Sequence, residues 1–138
     1  MSIRLSEMQK ITAYDLDPDA TSATSVAFVD MKNFKQFMAM FVRTVGTSAV
    51  TFLIQASATS NGAAPVTIKT KTFAAQPDAV ADLGVMEINV DELANAGTDL
   101  RYVSAVITFA TGTDEAVIVY ELGDPVHCEA DLTADIVA

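Results

Sequence analysis

The sequence predicts an all-β fold, a single-domain β-sandwich of about eight strands. This number of strands is compatible with jelly-roll connectivity. Runs rich in Val, Ile, Thr and Phe alternate with a period of two, and Gly, Asn, Asp and Pro separate them. No long stretch has helical periodicity, and 138 residues suit one domain. Since a lone sheet of this size would leave one apolar face in water, we expect two packed sheets.

The N-terminal part of the chain contributes two short strands and one long strand. Residues 11–15 form the first, which ends at an Asp- and Pro-rich turn, and residues 26–29 form the second. Residues 35–42 form the third, which is apolar on both faces. A strand that needs cover on both faces is a central strand or lies under an oligomer contact. Its two faces are Phe37, Ala39 and Phe41, and Met38, Met40 and Val42.

A hairpin is predicted in the middle of the chain. Its strands are residues 50–58 and 66–73, and the Asn61-Gly62 pair supplies a turn. The second strand alternates cleanly, which is typical of a strand with one face in water. We expect Val66 and Ile68 to point inward, and Lys69 and Lys71 to point outward and protect a sheet edge.

A second hairpin is predicted towards the C-terminal end. A strand over residues 85–90 leads into a short helical turn at Asp91-Glu92-Leu93-Ala94, which Gly97 stops. Residues 101–110 and 116–122 then form the hairpin. We expect Gly123-Asp124-Pro125 to end the sheet.

The two ends of the chain are predicted to lie outside the sandwich. The sandwich covers residues 11–126, between an N-terminal arm of residues 1–10 and an acidic C-terminal tail of residues 127–138. The isolated apolar residues of the arms are too few for a separate core, and such arms are usually disordered unless a neighbouring protein holds them. The candidate interaction residues are Ile3, Leu5, Met8, Met38 and Met40.

Composition excludes several classes of partner. With 18 acidic and 8 basic residues, the formal net charge is −10, which would repel a phosphate backbone, so we expect no nucleic-acid partner. No apolar run reaches the roughly 20 residues that a membrane-spanning helix needs, so we expect no membrane partner. The first residues lack the pattern of an export signal, and Cys128 has no second cysteine with which to form an internal disulfide.

Two short motifs could carry chemistry, but each has a simpler explanation. Asp15-x-Asp17-x-Asp19 has the spacing that begins a calcium loop, but Ala20 stands where the loop needs Gly, so a solvated turn is favoured. His127 and Cys128 are adjacent and would point to opposite faces of an extended chain, so a shared metal or catalytic site is not expected. We therefore predict no catalytic, cofactor or metal site, no small-molecule substrate, and a protein that is not an enzyme.

Several phrases along the chain resemble a known family. Val29-Asp30-Met31-Lys32-Asn33-Phe34 leads into an apolar strand, and Val45-Gly46-Thr47 precedes the next strand. Later, Asp91-Glu92-Leu93 and Gly97 are followed by Arg101-Tyr102-Val103. In order and spacing, these phrases resemble the small capsid decoration (cement) proteins of tailed bacteriophages. The resemblance covers most of residues 11–126, and Phe34 stands where the family commonly has Tyr.

This resemblance implies a structural role without catalysis. It implies a protein that binds the major capsid protein on the outside of a phage head, stabilises the shell and forms a homotrimer. It also implies that the capsid or an adjacent subunit holds at least one arm, with the N-terminal one favoured. The location would be the capsid surface of the virion, after synthesis in the cytoplasm of the host bacterium. The alternative is a ligand-binding β-sandwich, such as a carbohydrate- or receptor-binding virion appendage. Dispersed tyrosines and the absence of Trp give sugar stacking little support.

Overall fold

The computed structural model describes residues 9–15, 24–25, 28–75 and 83–125. Two antiparallel sheets contain the strands of this part of the chain, and one short helix connects two of them. The elements are β1 (Gln9–Asp15), β2 (Thr24–Ser25), β3 (Val29–Asp30), β4 (Phe34–Val45), β5 (Val50–Ser57), β6 (Val66–Phe73), β7 (Leu83–Asn89), α1 (Val90–Ala96), β8 (Tyr102–Phe109) and β9 (Glu115–Pro125).

The pairing of the strands confirms the predicted sandwich and its jelly-roll connectivity. One sheet has the order β1-β9-β4-β7, and the other has the order β2-β8-β5-β6, with β3 also paired to β8. When β2 and β3 are counted as one interrupted strand, the first strand pairs with the last, the second with the seventh, the third with the sixth and the fourth with the fifth. This nested pairing is the jelly-roll arrangement.

The core lies between β4 and β9 on one side and β5 and β8 on the other. The ring of Phe41 packs edge-on against Phe52 with centroids 5.0 Å apart, and Phe37 packs against Tyr120 at 5.1 Å. All four side chains are fully buried. Because β4 has β9 on one side and β7 on the other, it is the central strand that its pattern predicts.

Tyr120 also closes a gap in the opposite sheet. Its hydroxyl accepts a 2.7 Å hydrogen bond from the backbone N–H of Ala105 and lies 3.3 Å from the carbonyl oxygen of the same residue. Ala105 falls between the stretches of β8 that pair with β2 and with β3. The hydroxyl therefore satisfies a backbone donor that the interrupted strand leaves without a ladder partner.

The predicted orientation of the two lysines on β6 is wrong. The register shifts between Ile54 and Gln55, so Lys69 lies opposite Ile54 and Lys71 lies opposite Phe52. Ile54 and Phe52 are both fully buried. Directly opposed residues share a face, so the bulge places the lysines on the sandwich side of β6. Since β6 and β7 are edge strands of different sheets, Lys69 bridges them, and its Nζ donates to the carbonyl oxygen of Glu87 at 2.8 Å.

The end of the sheet also differs from the prediction. Gly123-Asp124-Pro125 was expected to end the sheet, but β9 continues through these residues and Pro125 pairs with Phe34. Proline is tolerated here because the described pairing of β9 with β1 ends at Gly123, so Pro125 has a described strand neighbour on one side only. The predicted strand over residues 26–29 is confirmed only at Val29, since residues 26–27 lie outside the described part.

Helix α1 is confirmed and has a complete N-terminal cap. The Asn89 side chain accepts from the backbone N–H of Glu92 at 2.9 Å, and the Glu92 carboxylate accepts from the backbone N–H of Asn89 at 3.0 Å. Leu93 is buried, and the helix stops at Gly97. Among the described residues, no helix has the length and apolar character needed to cross a bilayer.

Candidate interaction face

The outward face of the sheet that contains β4 is apolar over much of its area. On β4, Met38, Met40 and Val42 alternate with buried residues, so their side chains point away from the core. Neighbouring strands supply further apolar side chains to the same face. We call this surface the outer β4 face, and its residues are Met38, Met40, Val42, Leu83, Val85, Glu87, Val117, Val119 and Glu121.

The register arranges this face in rows that cross the strands. Met40 lies between Val85 of β7 and Val119 of β9. The next row places Val42 between Leu83 and Val117. Val85 is 46% exposed and Leu83 is 60% exposed, so the β7 side of the face is open to solvent. Contiguous exposed apolar side chains of this kind mark interaction surfaces on soluble proteins.

The outward face of the other sheet has a different composition. Thr72, Thr51 and Thr108 form a row across β6, β5 and β8, and the hydroxyls of Thr51 and Thr72 are 3.4 Å apart. Leu53 of β5 and Val106 of β8 lie opposite each other and are the apolar residues of these two strands on this face; Leu53 is half-buried and Val106 is buried. The two faces of the sandwich are therefore not equivalent. The threonine row suits contact with water, and the outer β4 face suits contact with an apolar partner.

Gly84 allows β7 to pack beside β4. It lies directly opposite Phe41, and a Cβ at this position would come within 2.1 Å of the Phe41 ring. The absence of a side chain lets that ring reach Phe52 and Phe73, which it meets edge-on. Leu83 and Val85, on either side of the glycine, are thereby aimed outward.

Carboxylates border the outer β4 face at one end. Glu87 on β7 and Glu121 on β9 lie on either side of Met38. Within the described chain, neither carboxylate forms an ion pair. A recess of about 90 Å³ lies here, and its walls include Met38, Glu87 and Glu121. This end of the face therefore combines negative charge with an apolar floor.

A buried ion pair anchors β4 to the start of β9. Arg43 Nη1 donates to Asp114 Oδ2 at 2.8 Å, and both side chains are almost completely buried. The same carboxylate accepts from the backbone N–H of Ser48 at 2.9 Å, from its hydroxyl at 2.6 Å, and from the Thr111 hydroxyl at 3.0 Å. Gly46 packs against Asp114 with φ of 97°, a conformation that favours glycine.

These contacts shift the titration of Asp114. Burial raises the pKa of its carboxyl, but the hydrogen bonds from Ser48 and Thr111 and the charge of Arg43 outweigh burial. The pKa of Asp114 consequently lies below its ordinary value. Asp114 is therefore ionised at neutral pH, and we assign it a structural role.

A cleft of about 430 Å³ lies beside α1, at the opposite end of β4 from Asp114. Its described lining includes Met31, Leu93 and Leu100 and has no aromatic side chain. A sugar-binding site would be expected to offer an aromatic platform. The cleft therefore gives the carbohydrate-binding alternative no specific support.

Two ion pairs lie near this cleft. The Arg101 guanidinium binds the Asp30 carboxylate through two nitrogens, and this hydrogen bonding holds the pKa of Asp30 below its ordinary value. Lys69 Nζ lies 3.1 Å from Glu92, and that contact lowers the pKa of Glu92. Both pairs are partly exposed, so each contributes little to stability.

The structure brings together only part of the predicted interaction set. Met38 and Met40 both lie on the outer β4 face, half-buried. Ile3, Leu5 and Met8 lie outside the described residues, as do Asp17, Asp19, His127 and Cys128. Within the described ranges, no group of three or more His, Cys, Asp and Glu side chains could hold a metal ion.

The residues that surround the two methionines were not predicted from the sequence. Val117 and Val119 alternate with buried Ala116 and Ile118, so β9 is apolar on both faces just as β4 is. Apolar residues on both faces of β9 were the feature of the sequence from which this surface could have been predicted. It indicated two central strands side by side, with their outward side chains forming one surface.

Comparisons with known proteins give structural similarity without a family. No protein-family model matches the chain, and the search of curated proteins found no match. A solved structure of Bacillus endospore appendages, described as a family of disulfide-linked pili, has a TM-score of 0.48 and 14% identity over 83% of this chain and 86% of that chain.

Two further similar structures come from infectious bursal disease virus. The Gt strain structure has a TM-score of 0.42 and 10% identity over 83% of this chain, and the VP2 subviral particle has 0.41 and 9% over 85%. This chain spans 31% of the length of each of these viral chains. Similarity at this level transfers no function.

Proposed function

We propose that this protein is a non-catalytic structural protein that decorates and stabilises the capsid of a tailed bacteriophage. The observation that carries the proposal is the outer β4 face, an apolar surface on one side of a sandwich whose other side carries a row of threonines. A protein added to a finished shell needs one such face for attachment and a polar face for solvent.

The phrases that resemble decoration proteins meet in the structure. Asp30, from the Val-Asp-Met phrase, is bound by the guanidinium of Arg101, from the Arg-Tyr-Val phrase. The backbone N–H of Met31 donates to the carbonyl oxygen of Arg101 at 3.0 Å. The two phrases thus form one structural unit, which supports treating their joint occurrence as more than two separate strand patterns.

The proposed partner is the major capsid protein, and the proposed location is the outer surface of the virion. The protein would be made in the cytoplasm of the host bacterium and added to the shell there. We further propose a homotrimer on the shell, because linked copies attach more tightly than single copies without any new contact. Sedimentation and copy counting on heads test this oligomer, and a monomer both in solution and on the shell would contradict it.

The experiment that tests the stabilising role uses heads that lack the protein. We expect such heads to release DNA at a lower temperature than complete heads, and purified protein added back to restore the release temperature. Bovine serum albumin at the same concentration is the control for nonspecific protection. Heads that are equally robust with and without the protein would contradict the stabilising role.

A further inference from the structure

We propose that the partner of the outer β4 face inserts a lysine or arginine side chain between Glu87 and Glu121, above Met38, while its apolar side chains cover Met40 and Val42. This inference rests on the proposed function and specifies the chemistry of the partner. It concerns the recess at the acidic end of the face.

The geometry of the recess suits one long cationic side chain. Met38 is directly opposite both Glu87 and Glu121, and opposed residues have Cβ atoms about 5 Å apart, so the Cβ atoms of the two glutamates lie about 10 Å apart on either side of Met38. The volume of about 90 Å³ corresponds to about three water molecules. A lysine or arginine stem would pack on the Met38 thioether while its charged end lies between the carboxylates.

The strands that form the recess supply no counter-charge on this face. At the outward-facing positions of β9, β4 and β7, the sequence has no lysine or arginine. The lysine closest in sequence to the face, Lys35, lies 3.8 Å from Asp124. A cation supplied by a partner would therefore meet two carboxylates that no described residue pairs.

A second copy of the chain does not meet this requirement. If two outer β4 faces packed together, Glu87 and Glu121 would meet either the same carboxylates or the apolar rows of Met40 and Val42. The first arrangement opposes like charges, and the second buries unpaired ones. The occupant is therefore a different protein surface that is apolar and basic, and the homotrimer contact lies elsewhere on the molecule.

The test measures binding of the purified protein to heads that lack it, at about 50 mM and about 500 mM salt. Glu87→Gln/Glu121→Gln removes both charges with little change in shape. Asp91→Asn/Asp99→Asn is the matched control, because it removes two exposed carboxylates near α1, away from the face. Glu87→Lys/Glu121→Lys reverses the charge of the recess. Urea unfolding of each variant verifies that it is folded.

We expect the Gln variant to bind about tenfold more weakly than wild type at low salt, the Lys variant more weakly still, and the difference to narrow at high salt. The Asn control should bind within about twofold of wild type. If the wild-type protein binds heads and the Gln variant binds equally well, the inference of a cationic side chain in the recess is wrong, while the proposed function stands. Absence of wild-type binding would overturn the proposed function and this inference with it.

Discussion

The Asp114 carboxylate lies 2.8 Å from Arg43 Nη1 inside the sandwich, although 71 residues separate them in sequence. Arg43 ends the inward-facing row of β4, and its guanidinium carbon lies 5.4 Å from the centre of the Phe109 ring. The pair joins the two strands that form the centre of the outer β4 face. Its removal should therefore loosen the region that we propose for attachment.

Asp114→Asn should lower the free energy of unfolding by about 3 kcal/mol or more, because it leaves the Arg43 charge buried without a counter-ion. Urea unfolding at neutral pH measures this. Asp124→Asn is the matched control, since Asp124 pairs with Lys35 at 3.8 Å where both side chains are half-exposed, and we expect a change within about 1 kcal/mol. Equal effects of the two substitutions would contradict a stabilising role for the buried pair.

Stability should fall at acid pH because of Asp114. The pKa of its carboxyl is lower in the folded protein than its ordinary value of 3.8, so the folded state favours the ionised form. The resulting stability is fully present above pH 3.8 and is lost as the pH falls towards the folded pKa. Asp30 acts in the same direction. Urea midpoints measured from pH 7 downward should show this loss of stability, and the loss should be smaller in Asp114→Asn. If the urea midpoint of the variant falls with acid pH as much as that of the wild type, Asp114 is not the cause of the loss.

Gly46→Ala should destabilise the fold by about 2 kcal/mol or more, since a Cβ here would come within 2.0 Å of Asp114 Oδ1 and φ is 97°. Gly123→Ala is the control, because the nearest atom to its Cβ would be 3.7 Å away. In thermal unfolding, the melting temperature of Gly46→Ala should be clearly lower than that of Gly123→Ala. A Gly46→Ala protein as stable as Gly123→Ala would show that the loop adapts at little cost.

The fold could be predicted further from the sequence than the site could. Alternation located β4, β5, β8 and β9 because each has one face in a continuous core, where the period of two is enforced. The bulge beside Ile54 reversed the predicted orientation of Lys69, and nothing in the local pattern signals where an extra residue is inserted.

The candidate site depended on strand order. Met38 and Met40 could be recognised from β4 alone, but Val85 and Val119 join them only because β7 and β9 are the neighbours of β4. The Arg43–Asp114 pair depends on the same pairing. Contacts between distant segments of the chain leave no periodic signal in the sequence, so they had to be found in the structure.

Deletion of residues 1–8 should weaken attachment to heads while it leaves the melting temperature of the free protein nearly unchanged. β1 begins at Gln9, two residues before the predicted strand, so the deletion should stop at Met8. Ile3, Leu5 and Met8 then test the arm without disturbing the pairing of β1 with β9. Replacement of all three by Ser is the companion variant, and full attachment by both variants would contradict a role for the arm.

The most direct test of the attachment face is to count the copies of protein bound per head after purified protein is mixed with heads that lack it. The wild-type protein and Leu53→Thr, which alters the threonine-rich face, should fill the heads to the same level. Met40→Thr/Val85→Thr should bind at least about tenfold more weakly, because the apolar area that the partner buries is reduced. If the double variant fills heads as the wild type does, or if the wild type does not bind at all, the outer β4 face is not a capsid attachment surface.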